Sequence, residues 1–331
     1  MKKKGWGLSA ACHPTGVAGG TDFSQAYVKI KPDGTADLIV GAVDVGQGCK
    51  TVLAQMAADE LGLGYDQINV INHDTDICPI SLGTFASRVT YFDGKAVMAA
   101  ARDARSMLFE AVAADLGESP ENLIAADGNI SVVNDPERSV SIAAAALKAS
   151  FAQSKPIIGR GYYRRQNVPP DPETGASDTF ATMAWAATLA EVEVDLETGE
   201  VEVLKIINAY DVGKAINPML IEGQVEGGTV MALGEALMEQ LYPAYPSLEW
   251  QPDTLRDYII PTTLDLPDLQ IELLEVASTE GPHGAKGLGE MTANIASPAI
   301  ISAIYDAVGV WINDLPATPE KVLRALEERQ A

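Results

Sequence analysis

The strongest constraint on this chain is Gly281-Pro282-His283-Gly284-Ala285-Lys286-Gly287-Leu288-Gly289-Glu290, with four glycines and one proline in ten residues. Such a run cannot hold a helix or a regular strand. It makes a sharply bent loop whose backbone lies open to close approach. Met291 to Val308 behind it carries the apolar spacing of a helix, so Glu290 falls where a glycine loop meets a helix N-terminus. Bare N–H groups and the helix dipole favour an anion there. That anion is either a ligand or the Glu290 carboxylate itself; from the loop alone, a first-turn acid stabilising its own helix is the simplest account.

Composition narrows the partners. The 331 residues, 47% of them hydrophobic, are enough for one large or two ordinary globular domains. A net charge of −23 repels nucleic acid and anionic membrane alike. An anionic cofactor would therefore be held by backbone amides and polar side chains. Cys12, Cys49 and Cys78 form no CxxC, and His13, His73 and His283 are scattered. These six residues cannot build a zinc site or a four-cysteine iron–sulfur cluster. Met1-Lys2-Lys3-Lys4 is basic, but no apolar signal-peptide core follows it, and the apolar run Ser297–Ile312 is too short to cross a bilayer. The expectation is a cytoplasmic protein.

Along the chain, residues 5–20 are rich in Gly and Ala around Cys12-His13-Pro14. They read as an internal segment of a larger architecture. Tyr27–Ile30 and Ala36–Val40 form a hairpin about Pro32-Asp33-Gly34. Gly41 to Thr51 then leads through Gly46-Gln47-Gly48-Cys49-Lys50-Thr51 into a helix ending near Leu61, a strand–turn–helix junction with anion-binding geometry. It is no P-loop, because Cys49 stands where the glycine before lysine is required. Ile68–Asn72 reads as a strand, His73–Arg88 as an irregular loop and Lys95–Leu116 as a long helix. Two short strands (Leu123–Ala125 and Ile130–Val133) and a helix over Ser141–Gln153 follow. Residues 160–179 read as a polar, proline-rich loop. Phe180–Val194 and Glu200–Ala209 form a second hairpin, and Asn217-Pro218 opens a helix carrying Gly223-Gln224 and Gly227-Gly228. Mid-helix glycines cost about 1 kcal/mol each relative to alanine, so close packing or a ligand should recover the loss. Leu269–Glu275 reads as a strand, and Lys321–Arg329 as a last helix.

The class is α+β: two β-hairpin/helix subdomains, 21–155 and 180–331, preceded by a glycine-rich segment (1–20) and joined by a connecting loop (156–179). The halves have the same order of elements without a residue-level repeat.

Four loops, taken together, carry a resemblance: Gly46-Gln47-Gly48; Phe85-Ala86-Ser87-Arg88; Asn217-Pro218 with Gln224 and Gly227-Gly228; and Lys286-Gly287-Leu288-Gly289-Glu290. In this order they resemble the second molybdopterin-binding domain of the xanthine dehydrogenase family of molybdenum hydroxylases. The resemblance implies molybdenum held through molybdopterin cytosine dinucleotide, with a sulfur or selenium terminal ligand. It implies cofactor contacts from Gly46, Gln47, Gly48, Cys49, Lys50, Thr51, Phe85, Ala86, Ser87, Arg88, Gln224, Lys286, Gly287, Leu288 and Gly289. It makes Glu290 the general base for hydroxylating an electron-poor carbon with oxygen from water. The family's first molybdopterin-binding domain has no counterpart here. That organisation resembles the nicotinate dehydrogenase branch, which converts nicotinate to 6-hydroxynicotinate with NADP as acceptor. The implied partners are a large molybdopterin subunit, a [2Fe-2S] subunit and an FAD subunit, in a dimer of hetero-oligomers. Purines and aldehydes are the alternative substrates, and a non-catalytic scaffold covering the cofactor is the alternative role.

Overall fold

A computed structural model describes residues 1–240 and 254–330. The chain runs through β1 (Lys2–Pro14), β2 (Gly20–Ile30), β3 (Ala36–Val40), α1 (Cys49–Leu61), β4 (Ile68–Ile71) and α2 (Gly94–Leu116). Next come β5 (Leu123–Ala126), β6 (Asn129–Val132), β7 (Asp135–Ser141), α3 (Ile142–Leu147) and β8 (Ile157–Asn167). The remainder comprises β9 (Met183–Asp195), β10 (Val201–Asp211), α4 (Pro218–Leu237), β11 (Asp268–Leu274), α5 (Met291–Asn294), α6 (Ala296–Val308) and α7 (Pro319–Gln330). The class is α+β, as the sequence implies. No helix of the described residues is long and apolar enough to cross a membrane.

Two compact units make up the chain. The first comprises Pro14–Thr182 and Ala277–Gly287; the second comprises Met1–His13, Met183–Val276 and Leu288–Ala331. In the first unit the sheet order is β4-β3-β2-β8. The β2–β3 hairpin pairs from Ala26↔Val40 to Ile30↔Ala36, and β4 lies parallel to β3 after the α1 crossover. Leu38, Leu53, Met56, Tyr91, Phe92 and Leu108 are buried in its core. In the second unit the order is β1-β9-β10-β11. There β9 and β10 are antiparallel, and β11 lies parallel to β10 after the α4 crossover. Val192, Ile206, Leu233, Ile300 and Ile304 share its larger core cluster. The two units thus repeat one plan: hairpin, helix, parallel strand, and an outer strand beside the hairpin.

Those outer strands correct two readings. The 160–179 loop begins instead within β8, which pairs with β2 over its whole length, Gly20↔Asn167 to Ile30↔Ile157. The glycine-rich start is strand β1. Both were disguised by the same device. A Cβ on Gly159 or Gly161 would collide with the backbone of α2 at Ala100 and Ala96. One on Gly5 or Gly7 would collide with α6 at Ala303 and Ala299. Each strand turns bare backbone towards a helix and its larger side chains outwards, so the inward apolar alternation that marks a strand is missing. The stretches 21–155 and 180–331 therefore each need a strand from outside them, and residues 241–253 of the latter lie outside the described residues.

Smaller differences concern helix ends. The helix expected over 291–308 breaks at Ile295 into α5 and α6. The helix expected over 141–153 is α3, capped by Ser141 Oγ accepting from the Ala144 N–H, followed by a π-helical turn over Lys148–Ala152. Polar β7, which pairs with β6, was not foreseen.

Candidate functional site

In the first unit, the turn between β3 and α1 is organised by Asp44. Its carboxylate accepts from the N–H groups of Gly46 (3.0 Å), Gly48 (3.2 Å) and Lys50 (3.3 Å). The helix N-terminus therefore already holds an anion, supplied by the chain. Burial alone would push the Asp44 carboxyl up, but the N–H donors of Gly46, Lys50 and Gly48 outweigh it and hold the group below its ordinary value. Gln47 closes the same turn: its Oε1 accepts from the Val45 N–H (2.7 Å) and its Nε2 donates to the Val43 carbonyl (3.1 Å). Gly46 sits at φ 111° with no described atom within 4 Å of where a Cβ would stand. Cys49 is buried at the start of α1, and burial, reinforced by Asp44 and Asp93, pushes its thiol up to about 12. In this environment the neutral thiol is favoured over the thiolate. Thr51 is half-buried and Lys50 exposed. A cavity of about 590 Å³ opens beside this turn, lined by Val43, Asp44, Lys50, His73, Asp74 and Ser81 among others.

The second loop of this unit is strained. Ala86 (φ 51°) and Ser87 (φ 48°) are consecutive non-glycine residues in the left-handed region, a conformation that persists only when its surroundings impose it. Here they do. The Ala86 carbonyl accepts from the Gly16 N–H (2.9 Å), and Thr84 Oγ1 donates to the Val43 carbonyl (2.7 Å). Arg88, fully buried, ties the loop to the sheet. Its guanidinium donates to Asp22 Oδ1 (2.8 Å), Ser24 Oγ (2.7 Å), the Gly83 carbonyl (3.2 Å) and Asp93 Oδ2 (3.2 Å). Its hydrogen-bonding capacity is directed inwards, while Phe85 at the tip stays exposed.

The Phe85–Arg88 loop meets the end of the glycine loop. A Cβ on Gly287 would collide with the Ser87 carbonyl, and Lys286 beside it is buried. Gly289, by contrast, has open space where its Cβ would be. Gly287→Ala is therefore expected to destabilise the chain by about 1–3 kcal/mol through overpacking, and Gly289→Ala by under about 0.5 kcal/mol. Urea unfolding of the two variants checks this; equal midpoints would show that Ser87 yields freely.

In the second unit, Asn217 caps α4 by accepting from the Leu220 N–H (3.1 Å). The α4 glycines then divide. Gly228 admits Thr292, whose side chain a Cβ would strike, whereas Gly223 and Gly227 face open space. Gln224 is half-buried between them. Leu288 packs on the cluster of Tyr210, Val225, Met291 and Ile295. Thr292 Oγ1 donates to the Gly289 carbonyl (2.7 Å). Between exposed Gly289 and buried Met291, Glu290 presents a side chain 46% exposed. That carboxylate makes no side-chain capping bond to α5. Its Oε2 lies 3.0 Å from His13 Nε2.

The molybdopterin cofactor-binding domain family matches residues 1–267 of this chain. The chain belongs to the xanthine dehydrogenase family of molybdenum hydroxylases. It is 32% identical to the xanthine dehydrogenase molybdenum-binding subunit of Escherichia coli O157:H7, over 92% of this chain and 39% of that protein. It is 35% identical to the nicotine 6-hydroxylase large subunit of Paenarthrobacter nicotinovorans, over 93% of this chain and 37% of that one. Quinoline 2-oxidoreductase from Pseudomonas putida 86 superposes with a TM-score of 0.85 at 30% identity, covering 99% of this chain and 42% of that chain. The chain thus spans about two fifths of the length of these relatives.

The residues present fit a molybdopterin. Among the described residues no three His, Cys, Asp or Glu side chains could hold a metal ion. In the first unit the bare backbone at Gly46, and in the second that at Gly223, Gly227 and Gly289, is open to close approach by a polar group. Two residues carry roles the sequence reading missed. Asp44 was legible as an Asx residue two and four positions before glycines; His13 had no local signal.

Proposed function

We propose that this chain supplies the base-bearing, molybdopterin-binding part of an enzyme that hydroxylates an N-heteroaromatic ring with oxygen from water, converting nicotinate to 6-hydroxynicotinate. The observation that carries the reading is Glu290: a carboxylate 46% exposed at the end of an open glycine loop, with its Oε2 3.0 Å from His13 Nε2. When bound, the cofactor supplies the redox centre that accepts the electron pair. The chain supplies the rest. Gly46, Gln47, the Phe85–Arg88 loop, Lys286 and Gly287 of the first unit hold the cofactor, as do Gln224, Leu288 and Gly289 of the second. Glu290 accepts at its carboxylate the proton released as the attacking oxygen becomes nucleophilic. The lack of a basic surface excess, at net charge −23, leaves recognition of anionic groups to amides and single side chains.

The class of substrate is supported by two relatives whose names specify N-heteroaromatic rings, nicotine and quinoline; the xanthine relative keeps purines as the alternative. The cytosine dinucleotide form of the cofactor, a sulfur or selenium ligand, NADP as final acceptor and a cytoplasmic location belong to the same proposal. So do the partners: a large molybdopterin subunit, a [2Fe-2S] subunit and an FAD subunit. The test is molybdenum and cytidine content of the chain alone and of its native complex, followed by turnover of nicotinate, xanthine and an aldehyde. Equimolar molybdenum and cytidine in the complex, with nicotinate turned over fastest, supports the proposal. Molybdenum without turnover of any of the three would favour a scaffold role, and xanthine as the best substrate would move the chain to the purine branch.

A further inference from the structure

Strand β1 contains a histidine that the proposed chemistry leaves unused. Its placement follows from a register between β1 and the helices packed on it. Gly5 lies against Ala303 and Gly7 against Ala299. Ser9 Oγ donates to the Ile295 carbonyl at 2.5 Å, and His13 Nε2 lies 3.0 Å from Glu290 Oε2. Two residues of strand advance about 6.6 Å, and four residues of helix about 6.0 Å. The pairs 5/303, 7/299 and 9/295 therefore keep step, and the strand's continuation brings His13 to the residue just before α5. The contact is fixed by tight packing at both glycines, not by a flexible side chain reaching across a surface. The Trp6 N–H donating to Asp306 Oδ2 at 2.9 Å locks the same register from its far end.

The chemistry of the pair is directional. An ionised carboxylate has only acceptor capacity, so the proton between the two belongs to His13 Nε2. The His13 ring is mostly covered, at 21% exposure, while Glu290 is 46% exposed. The imidazole thus holds Oε2 from the covered side of the pair.

We infer that His13 is a positioning residue of Glu290: by donating from Nε2 to Oε2 it fixes the carboxylate's orientation. This rests on the reading of Glu290 as the base. Because the chain has three histidines, the imidazole nitrogens of the full chain can be assigned by nitrogen-15 NMR with single variants. His13 is expected in the Nε2–H tautomer, and Glu290→Ala is expected to shift its Nε2 resonance while His73 and His283 stay in place. In the native complex, His13→Ala is expected to lower kcat by about tenfold to a hundredfold with KM within about twofold of native. His13→Gln, whose amide donates from a similar reach, is expected to recover most of that loss. If His13→Ala does not fold, His13→Gln and the Glu290→Ala spectrum carry the test. An unmoved His13 resonance in Glu290→Ala overturns the contact. Native kcat in His13→Ala alongside an inactive Glu290→Gln overturns the positioning role while sparing the base. An active Glu290→Gln removes the base and the positioning role with it, whatever the spectra show.

Discussion

Glu290→Gln in the native complex is expected to lower kcat by about 10²–10⁴-fold, the range spanned by loss of a positioned general base. Molybdenum content should stay at the native level. Glutamine keeps the volume of the side chain and an oxygen that can still accept from His13 Nε2, 3.0 Å away in the native chain. It lacks the charge that would take up a proton. The substitution also leaves the fold's own interactions nearby in place: Thr292 still donates to the Gly289 carbonyl, and Met291 stays in its cluster. The measurement is kcat beside molybdenum per chain by atomic emission. Parallel loss of metal and turnover would make Glu290 a cofactor-retaining residue, and native turnover would end the assignment as base.

What was legible in the sequence was what short-range chemistry encodes. Both hairpins were visible because Asp33-Gly34 and Thr198-Gly199 are turn pairs between alternating strands. So were α1 and α2, through their apolar spacing. The two outer strands were hidden because their inward residues are glycines: Gly5 and Gly7 on α6, Gly159 and Gly161 on α2. A glycine chosen for close approach to a helix looks the same in sequence as one chosen for a turn. The candidate loops were readable as glycine-rich junctions, yet what fills them was not. The anion expected at the start of α1 is Asp44 of the chain itself. The bare face of α4 is Gly223 and Gly227 but not Gly228, which packs on Thr292. The His13–Glu290 pair spans 277 residues of chain, and no local pattern could have joined its members.

Arg88 shows how far a side chain's role depends on burial that sequence does not display. The resemblance implies a cofactor contact from the Phe85–Arg88 loop, and the structure spends the Arg88 side chain on holding that loop in place. Arg88, Asp22 and Asp93 are all fully buried, with the guanidinium 2.8 Å from Asp22 Oδ1 and 3.2 Å from Asp93 Oδ2. Removing the cation strands two carboxylates in the core, so Arg88→Met is expected to cost about 3–5 kcal/mol. Arg88→Lys should rescue little. One ammonium cannot reproduce a planar fork reaching Asp22, the Phe23 and Gly83 carbonyls, Ser24, Ser81 and Asp93 at once.

The pH dependence of that loss follows from Asp93. Burial pushes its carboxyl up to about 6, outweighing the opposing pull of Arg88. A carboxyl raised on folding favours the folded state below its unfolded pKa of about 3.9, and that contribution fades as pH rises through 6. Without Arg88 the opposing pull disappears and the folded value climbs further. The stability difference between native chain and Arg88→Met should therefore be larger at pH 8 than at pH 5. Urea unfolding of the full chain at the two pH values decides it. A difference that shrinks at pH 8, or a variant within about 0.5 kcal/mol of native at both, would mean that Asp22 and Asp93 reach water once the guanidinium is gone.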